Sequence, residues 1–153
     1  MLVFVPLAPA DLADWASSGR RDIRGFAATP AFLDAFDLST PDSEDADLTL
    51  LEVAGLAGLL THGVRLVAVC QADAAGAEPA NFGAVVAEKV RFSAVESLFT
   101  DDEAGAERAA AAKELAGEVA DLDEAWDSDA LDDLLRTTEL LWHDSSEWDR
   151  LSH

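Results

Sequence analysis

The chain has 153 residues, of which half are apolar and 27% are charged, so it is long enough for a globular domain with a hydrophobic core. Its 31 acidic residues outweigh ten lysines and arginines and give a formal net charge of −21. A charge of this sign repels nucleic-acid phosphates and anionic lipid headgroups, so neither direct nucleic-acid binding nor membrane binding is expected.

Strand and helix patterns alternate in the first part of the chain. Pro6 ends an apolar run, Pro9 suits the first turn of a helix, and Gly63 fits the left-handed residue that follows one. The predicted elements are a strand at 2–6, a helix at 9–18, a strand at 22–29, a short helix capped by Thr29, and a long helix from Ser43 to Gly63.

The second part opens on the clearest strand, 64–71, which is almost entirely apolar and is therefore expected to be central and covered on both faces. A loosely structured stretch at 72–83 precedes two more strands, at 84–92 and 94–100. An alanine-rich helix capped by Asp101 or Asp102 follows, and Ser128 caps one more short helix. The apolar stripe predicted for the alanine-rich helix is Ala111, Leu115, Val119, Leu122 and Trp126.

These elements predict a single globular domain over residues 1–153, of the α/β (α+β-like) class, with a mixed sheet of about five strands packed against helices in two layers. The last three strands are expected to pair antiparallel, and the first two to be joined by a right-handed crossover. The opening residues lack the basic region of a signal peptide, and no apolar stretch approaches the ~20 residues of a membrane-spanning helix, so a cytoplasmic location is expected.

The negative charge is concentrated toward the C-terminus. Residues 101–153 hold 17 acidic and four basic side chains, against 14 and six in residues 1–100. Two interpretations are open: a solvated surface, or a surface that binds a basic protein partner.

Four segments together resemble a known family: VFVPLAPADLADW, VRLVAVCQAD, AVESLFTDD and ELLWHDSSEWDRL. The family is an uncharacterised one of small acidic proteins from high-GC Gram-positive bacteria (actinobacteria). Its proline-bearing first strand, its strand ending in two acids and its closing Leu-Leu-Trp correspond to Pro6, Asp101–Asp102 and Leu140–Leu141–Trp142. The resemblance implies a compact domain and brings no activity, because the family has no assigned function.

Catalytic patterns are weak, and no catalytic residue and no cofactor are predicted. The only cysteine, Cys70, lies in the most apolar strand without a basic neighbour, which is typical of a buried, unreactive thiol. Asp101, Asp102 and Glu103 follow a strand, as acids that hold magnesium beside a phosphorylated substrate often do. The same three residues also suit an ordinary helix N-terminus.

The closing segment concentrates Trp142, His143 and Trp148 among acids. Asp144 and Glu147 have the spacing of a capping box, which predicts a final helical turn. The simplest interpretation is a latch in which both tryptophans seal the core; the alternatives are a docking surface and a catalytic His143. The stretch at 72–83, which contains Phe82, is open to two interpretations: a recognition loop, or a flexible connection with no binding role.

The function favoured by these patterns is a non-enzymatic acidic binding or regulatory protein whose C-terminal third contacts a basic partner. The alternative is a magnesium-dependent enzyme that acts on a phosphorylated or otherwise anionic small molecule through Asp101, Asp102 and Glu103.

Overall fold

The computed structural model describes residues 1–152, which contain seven β-strands, seven α-helices and three short 3₁₀ turns. His153, for which the sequence predicts a frayed end, lies outside the described residues. The strands are β1 (Leu2–Pro6), β2 (Arg20–Phe26), β3 (Leu66–Gln71), β4 (Ala75–Gly76), β5 (Ala84–Arg91), β6 (Val95–Thr100) and β7 (Leu141–Asp144). The helices are α1 (Pro9–Ser18), α2 (Pro30–Ala35), α3 (Glu44–His62), α4 (Glu103–Ala116), α5 (Leu122–Trp126), α6 (Asp129–Thr137) and α7 (Trp148–Leu151).

One sheet contains all seven strands in the order β4-β5-β2-β1-β3-β6-β7, and every neighbouring pair is antiparallel. The α/β class is confirmed, but the prediction of a mixed sheet of about five strands is wrong. The two strands that were missed, β4 and β7, are two and four residues long, too short for a recognisable period. The crossover prediction is also wrong, because β1 and β2 are antiparallel neighbours.

Helices cover both faces of the sheet, so the two-layer prediction is wrong as well. Strand β1 shows the reason: Val3 and Val5 are buried in a cluster with α1, while Phe4 is buried in a second cluster with α3. Because successive side chains of a strand point to opposite faces, a continuous apolar run requires cover on both. The prediction that 64–71 forms a central strand covered on both faces is confirmed, since Leu66–Cys70 are all buried.

Local capping signals are confirmed along the chain. The side chains of Thr29, Ser43, Asp102 and Ser128 each accept a hydrogen bond from a backbone N–H in the first turn of a helix. Gly63 adopts the left-handed conformation after α3, with φ of 76°. These caps set where each helix begins and ends, and hence where the polar residues between helix and strand lie.

The stripe predicted for the alanine-rich helix is wrong in its first half. Helix α4 ends at Ala116, and its buried residues are Gly105, Ala109 and Ala112, whereas Leu115 is 81% exposed. Small side chains face the core here because α4 packs closely on its neighbours, and the larger leucine is left on the solvent side.

Candidate functional site

The closing segment forms the last strand of the sheet. Strand β7 pairs with β6, which places Trp142 opposite Phe99 and His143 opposite Leu98. Residues that are directly opposite in an antiparallel pair share a face, so Trp142 lies on the face that α3 covers and His143 on the face that α1 covers. The Leu-Leu-Trp segment is therefore part of a sheet edge.

The latch prediction is right for one tryptophan and wrong for the other. Trp148 packs against the cluster around α1, with its ring centroid 6.5 Å from that of Phe92 in an edge-to-face arrangement. Trp142 is 60% exposed and Leu141 is 44% exposed. Because β7 lies at the end of the sheet, these two apolar side chains project beyond the helices that cover the inner strands.

Asp144, the last residue of β7, and Glu147 form the predicted capping box. Asp144 accepts from Ser146, and Glu147 accepts from the backbone N–H of Asp144 at 2.8 Å. The hydrogen bonds from the Ser146 hydroxyl and backbone lower the pKa of Asp144, and the one from the Asp144 backbone lowers the pKa of Glu147. Glu147 also pairs with Arg150 and lies 3.7 Å from Nδ1 of His143. Both acids are thus ionised at neutral pH, within a few residues of the exposed tryptophan.

The two edges of the sheet differ in how they resist pairing. On the β4 side, β4 covers β5 only at Val85 and Val86, and beyond them β5 carries a bulge at the exposed Lys89, whose φ is 50°. A lysine and a bulge are both features that block edge-to-edge association. Strand β7 has the sequence LWHD, with no lysine, proline or glycine, and no strand among residues 1–152 pairs with its outer side. The outer side of β7 is therefore unpaired in the described part of the chain and carries neither of these two features.

The acids predicted to hold magnesium have other partners. Asp101 forms a two-point pair with Arg65, at 2.5 and 2.9 Å, with the two side chains only 3% and 2% exposed. Asp102 caps α4, and Glu103 is exposed on its first turn. A small cleft of ≈ 180 Å³ lies beside Asp101. Within residues 1–152, no group of three or more His, Cys, Asp or Glu side chains is placed to hold a metal ion. The magnesium site stays a prediction that this geometry does not favour.

Arg65 is the residue that sequence reasoning missed. Besides Asp101, its guanidinium donates to the carbonyl oxygen of Thr138 at 3.0 Å, on the segment that leads into β7. The sequence did contain a signal for this role: Arg65 is one of only ten basic residues and lies at the start of the most apolar predicted strand. Arg65 thus connects β3, α4 and the approach to the exposed edge.

Phe82 lies in the interior of the protein. Its ring meets Phe36 at 5.9 Å and Trp126 at 6.0 Å, both edge-to-face, and the side chain is buried. The stretch at 72–83 contains β4 and one 3₁₀ turn that ends in Phe82. Recognition by Phe82 stays a prediction, and the ring contributes to the core.

The thiol of Cys70 is expected to be unreactive in the native protein. Burial, reinforced by Glu96, raises the pKa of Cys70 to about 12, so the thiolate is scarce at pH 8. We expect iodoacetamide to leave Cys70 unmodified in buffer and to alkylate it in urea, as measured by intact mass. Equal rates in the folded and unfolded states would contradict this expectation.

Comparison with known proteins gives a family and no activity. A model of the family of unknown function DUF6912 matches residues 1–151. The chain belongs to that family. The match confirms the coarser part of the resemblance, an uncharacterised family that spans the chain. No curated protein and no solved structure matches the chain. No helix of the described residues is both long and apolar enough to cross a membrane.

Proposed function

We propose that this chain is a non-enzymatic binding protein that takes up a basic, extended segment of a partner protein as an additional strand on the outer edge of β7. The observation that carries the proposal is an edge strand whose outer side is unpaired within residues 1–152, with Trp142 and Leu141 exposed on opposite faces. No activity accompanies the family match, so the proposal depends on the edge itself.

The backbone of β7 supplies the general part of the recognition. Alternate residues of an edge strand present N–H and C=O groups that no neighbouring strand uses, and an extended peptide satisfies them by strand addition. In β7 the Asp144 N–H is the exception, because it already donates to Glu147. Side chains on both faces supply selectivity, because successive residues of the added strand lie beside Trp142 on one face and Leu141 or His143 on the other. An apolar residue on each face is what a two-sided contact of this kind requires.

The charge around β7 favours a basic segment. Glu139, Asp144 and Asp149 are exposed near the strand, and residues 101–153 hold 17 acidic against four basic side chains. An arginine opposite Trp142 would lie on an electron-rich indole face beside Asp144, which is favourable for a cation. Long-range attraction would also accelerate encounter and would be screened by salt.

The same charges argue against a second copy of this chain as the occupant of the edge. Pairing β7 with β7 would bring together two molecules that each carry −21, and charges of the same sign repel. A dimer that depends on Trp142 would therefore contradict the proposal, and sedimentation of the isolated protein separates the two cases.

The setting of this activity is inferred from composition. We infer a cytoplasmic, single-domain protein of a high-GC Gram-positive bacterium. Arginine outnumbers lysine eight to two, alanine is abundant, and the single cysteine leaves no intrachain disulfide to form.

Replacement of Trp142 by alanine is expected to weaken peptide binding at least about tenfold, because an exposed aromatic at the centre of a contact supplies much of the binding energy. The probe is a fluorescein-labelled peptide of about eight residues that alternates arginine and valine, titrated and followed by fluorescence anisotropy. Thermal stability should hardly change, since the side chain is 60% exposed.

Leu115→Ala is the matched control, because it removes another exposed apolar side chain, on α4, far along the chain from β7. This variant should bind the peptide as the native chain does. A peptide that alternates glutamate and valine should not bind. Unchanged affinity in Trp142→Ala, or an equal loss in Leu115→Ala, would rule out the β7 edge as the binding site.

A further inference from the structure

A cleft of ≈ 370 Å³ lies between α3 and α6, next to the residues that lead into β7. Its apolar walls come from four leucines on α3, on α6 and just before β7: Leu48, Leu51, Leu135 and Leu140. Leu48 is 55% exposed, so part of this apolar lining is open to solvent. The cleft therefore offers an apolar channel beside the proposed docking edge.

The charged groups of the cleft leave it negative. Arg65 and Arg136 line it, but Arg65 is paired with Asp101 at 2.5 Å and Arg136 with Asp132 at 3.2 Å. Glu52 and Glu139 also line it, and neither forms an ion pair within residues 1–152. Two uncompensated carboxylates at an apolar channel fit a cation that is carried on an aliphatic stem.

We propose that the cleft between α3 and α6 binds a lysine side chain of the segment that docks on β7, with its stem among the leucines and its ammonium at Glu52 and Glu139. This inference rests on the proposed function. Lysine fits this arrangement because the three N–H donors of a compact ammonium can be divided between two separate carboxylates. The aliphatic stem of lysine buries readily against apolar walls while the charge stays at a polar end.

The pKa of Glu52 is consistent with a cation site that holds no cation. Burial, with a further contribution from Asp132, raises the pKa of Glu52. A bound ammonium would favour the ionised carboxylate and lower that pKa again. Lysine binding should therefore weaken as the pH falls through the raised pKa of Glu52. The other charges that line the cleft are Glu139, Arg65 and Arg136, and Asp132 lies close enough to act on Glu52.

The test uses the arginine–valine peptide with one residue replaced by lysine or by norleucine, which has the same stem without the charge, at each position in turn. At one position the native chain should bind the lysine peptide about tenfold more tightly, and Glu52→Gln should abolish that preference while binding the norleucine peptide normally. Glu114→Gln, an exposed acid on α4, removes the same charge outside the cleft and should keep the preference.

Two failures can be told apart. If the chain binds none of the peptides, both the docking edge and the cleft are refuted. If it binds them through Trp142 but shows no lysine preference, or keeps the preference in Glu52→Gln, only the cleft is refuted. Carboxyl carbon resonances give a second readout, because the pKa of Glu52 should fall when the lysine peptide binds and stay unchanged with the norleucine peptide.

Glu52→Gln is also expected to raise the melting temperature of the free protein at pH 7. Because the folded-state pKa of Glu52 lies above its ordinary value of 4.5, the ionised form opposes folding at neutral pH, and the neutral amide removes that penalty. The gain should disappear below the ordinary pKa, where the native glutamate is protonated in both states. Scanning calorimetry at pH 7 and near pH 3.5 measures both values; a lower melting temperature at pH 7 would show that the carboxylate has a stabilising partner.

Discussion

Replacement of Arg65 by methionine is expected to lower the free energy of unfolding by about 3–5 kcal/mol, because it leaves Asp101 buried without its counter-charge. The two side chains are 2% and 3% exposed and meet at 2.5 Å, so solvent cannot take the place of the lost partner. The variant also loses the hydrogen bond to the carbonyl oxygen of Thr138. Urea unfolding, followed by tryptophan fluorescence, measures the change.

Two further variants show whether the buried charge is the cause. Arg65→Met combined with Asp101→Leu removes both charges and should recover part of the stability, since a buried pair can often be replaced by apolar side chains. Arg136→Met breaks an exposed pair with Asp132 and should cost at most about 0.5 kcal/mol. A loss in Arg65→Met as small as that in Arg136→Met would mean that Asp101 finds another partner or water.

Gly83→Ala is expected to cost about 3 kcal/mol or more, through backbone strain and steric overlap together. Gly83 has φ of 81°, and a Cβ built on it would overlap the carbonyl oxygen of Ala27 and approach the side chain of Phe32. The backbone N–H of Ala27 donates to the Gly83 carbonyl at 2.8 Å, so the two segments cannot separate without losing that bond. Thermal or urea unfolding reports the loss.

Gly19 is the matched control for this prediction. Its φ of 83° is nearly the same, but nothing lies within 4 Å of a Cβ built there. Gly19→Ala should therefore cost only the left-handed strain, about 1–2 kcal/mol. The difference between the two variants measures the steric contribution alone, and equal losses would contradict the close approach of Gly83 to Ala27.

Local signals in the sequence predicted much of the fold. Thr29, Ser43 and Ser128 were recognised as helix caps because the short side-chain oxygen that accepts the N–H is encoded within the first turn. The central position of 64–71 followed from its uninterrupted apolar character, which requires cover on both faces. The caps depend on hydrogen bonds between residues a few positions apart, and the position of the strand depends only on how apolar its residues are.

What the sequence did not predict depends on distant partners. Strand β7 exists because β6, more than 40 residues earlier, offers a free edge to pair with, and four residues with two exposed apolar side chains carry no period of their own. The cleft that contains Glu52 needs α3 and α6 to pack side by side, which no spacing along the chain records. The sequence therefore predicted part of the candidate site: it pointed to Trp142 and His143, but it did not predict the strand on which they lie.

The strand order has a consequence for biosynthesis. Strand β1 is the middle strand of the seven, and its partners β2 and β3 follow it along the chain, β3 only at Leu66–Gln71. On the ribosome, β1 therefore lacks its second neighbour, β3, until α3 has been synthesised. Strand β7 is translated after the other six strands of the sheet, which it joins at one end. A nascent chain can thus pair its other six strands before it displays the edge that we assign to the partner.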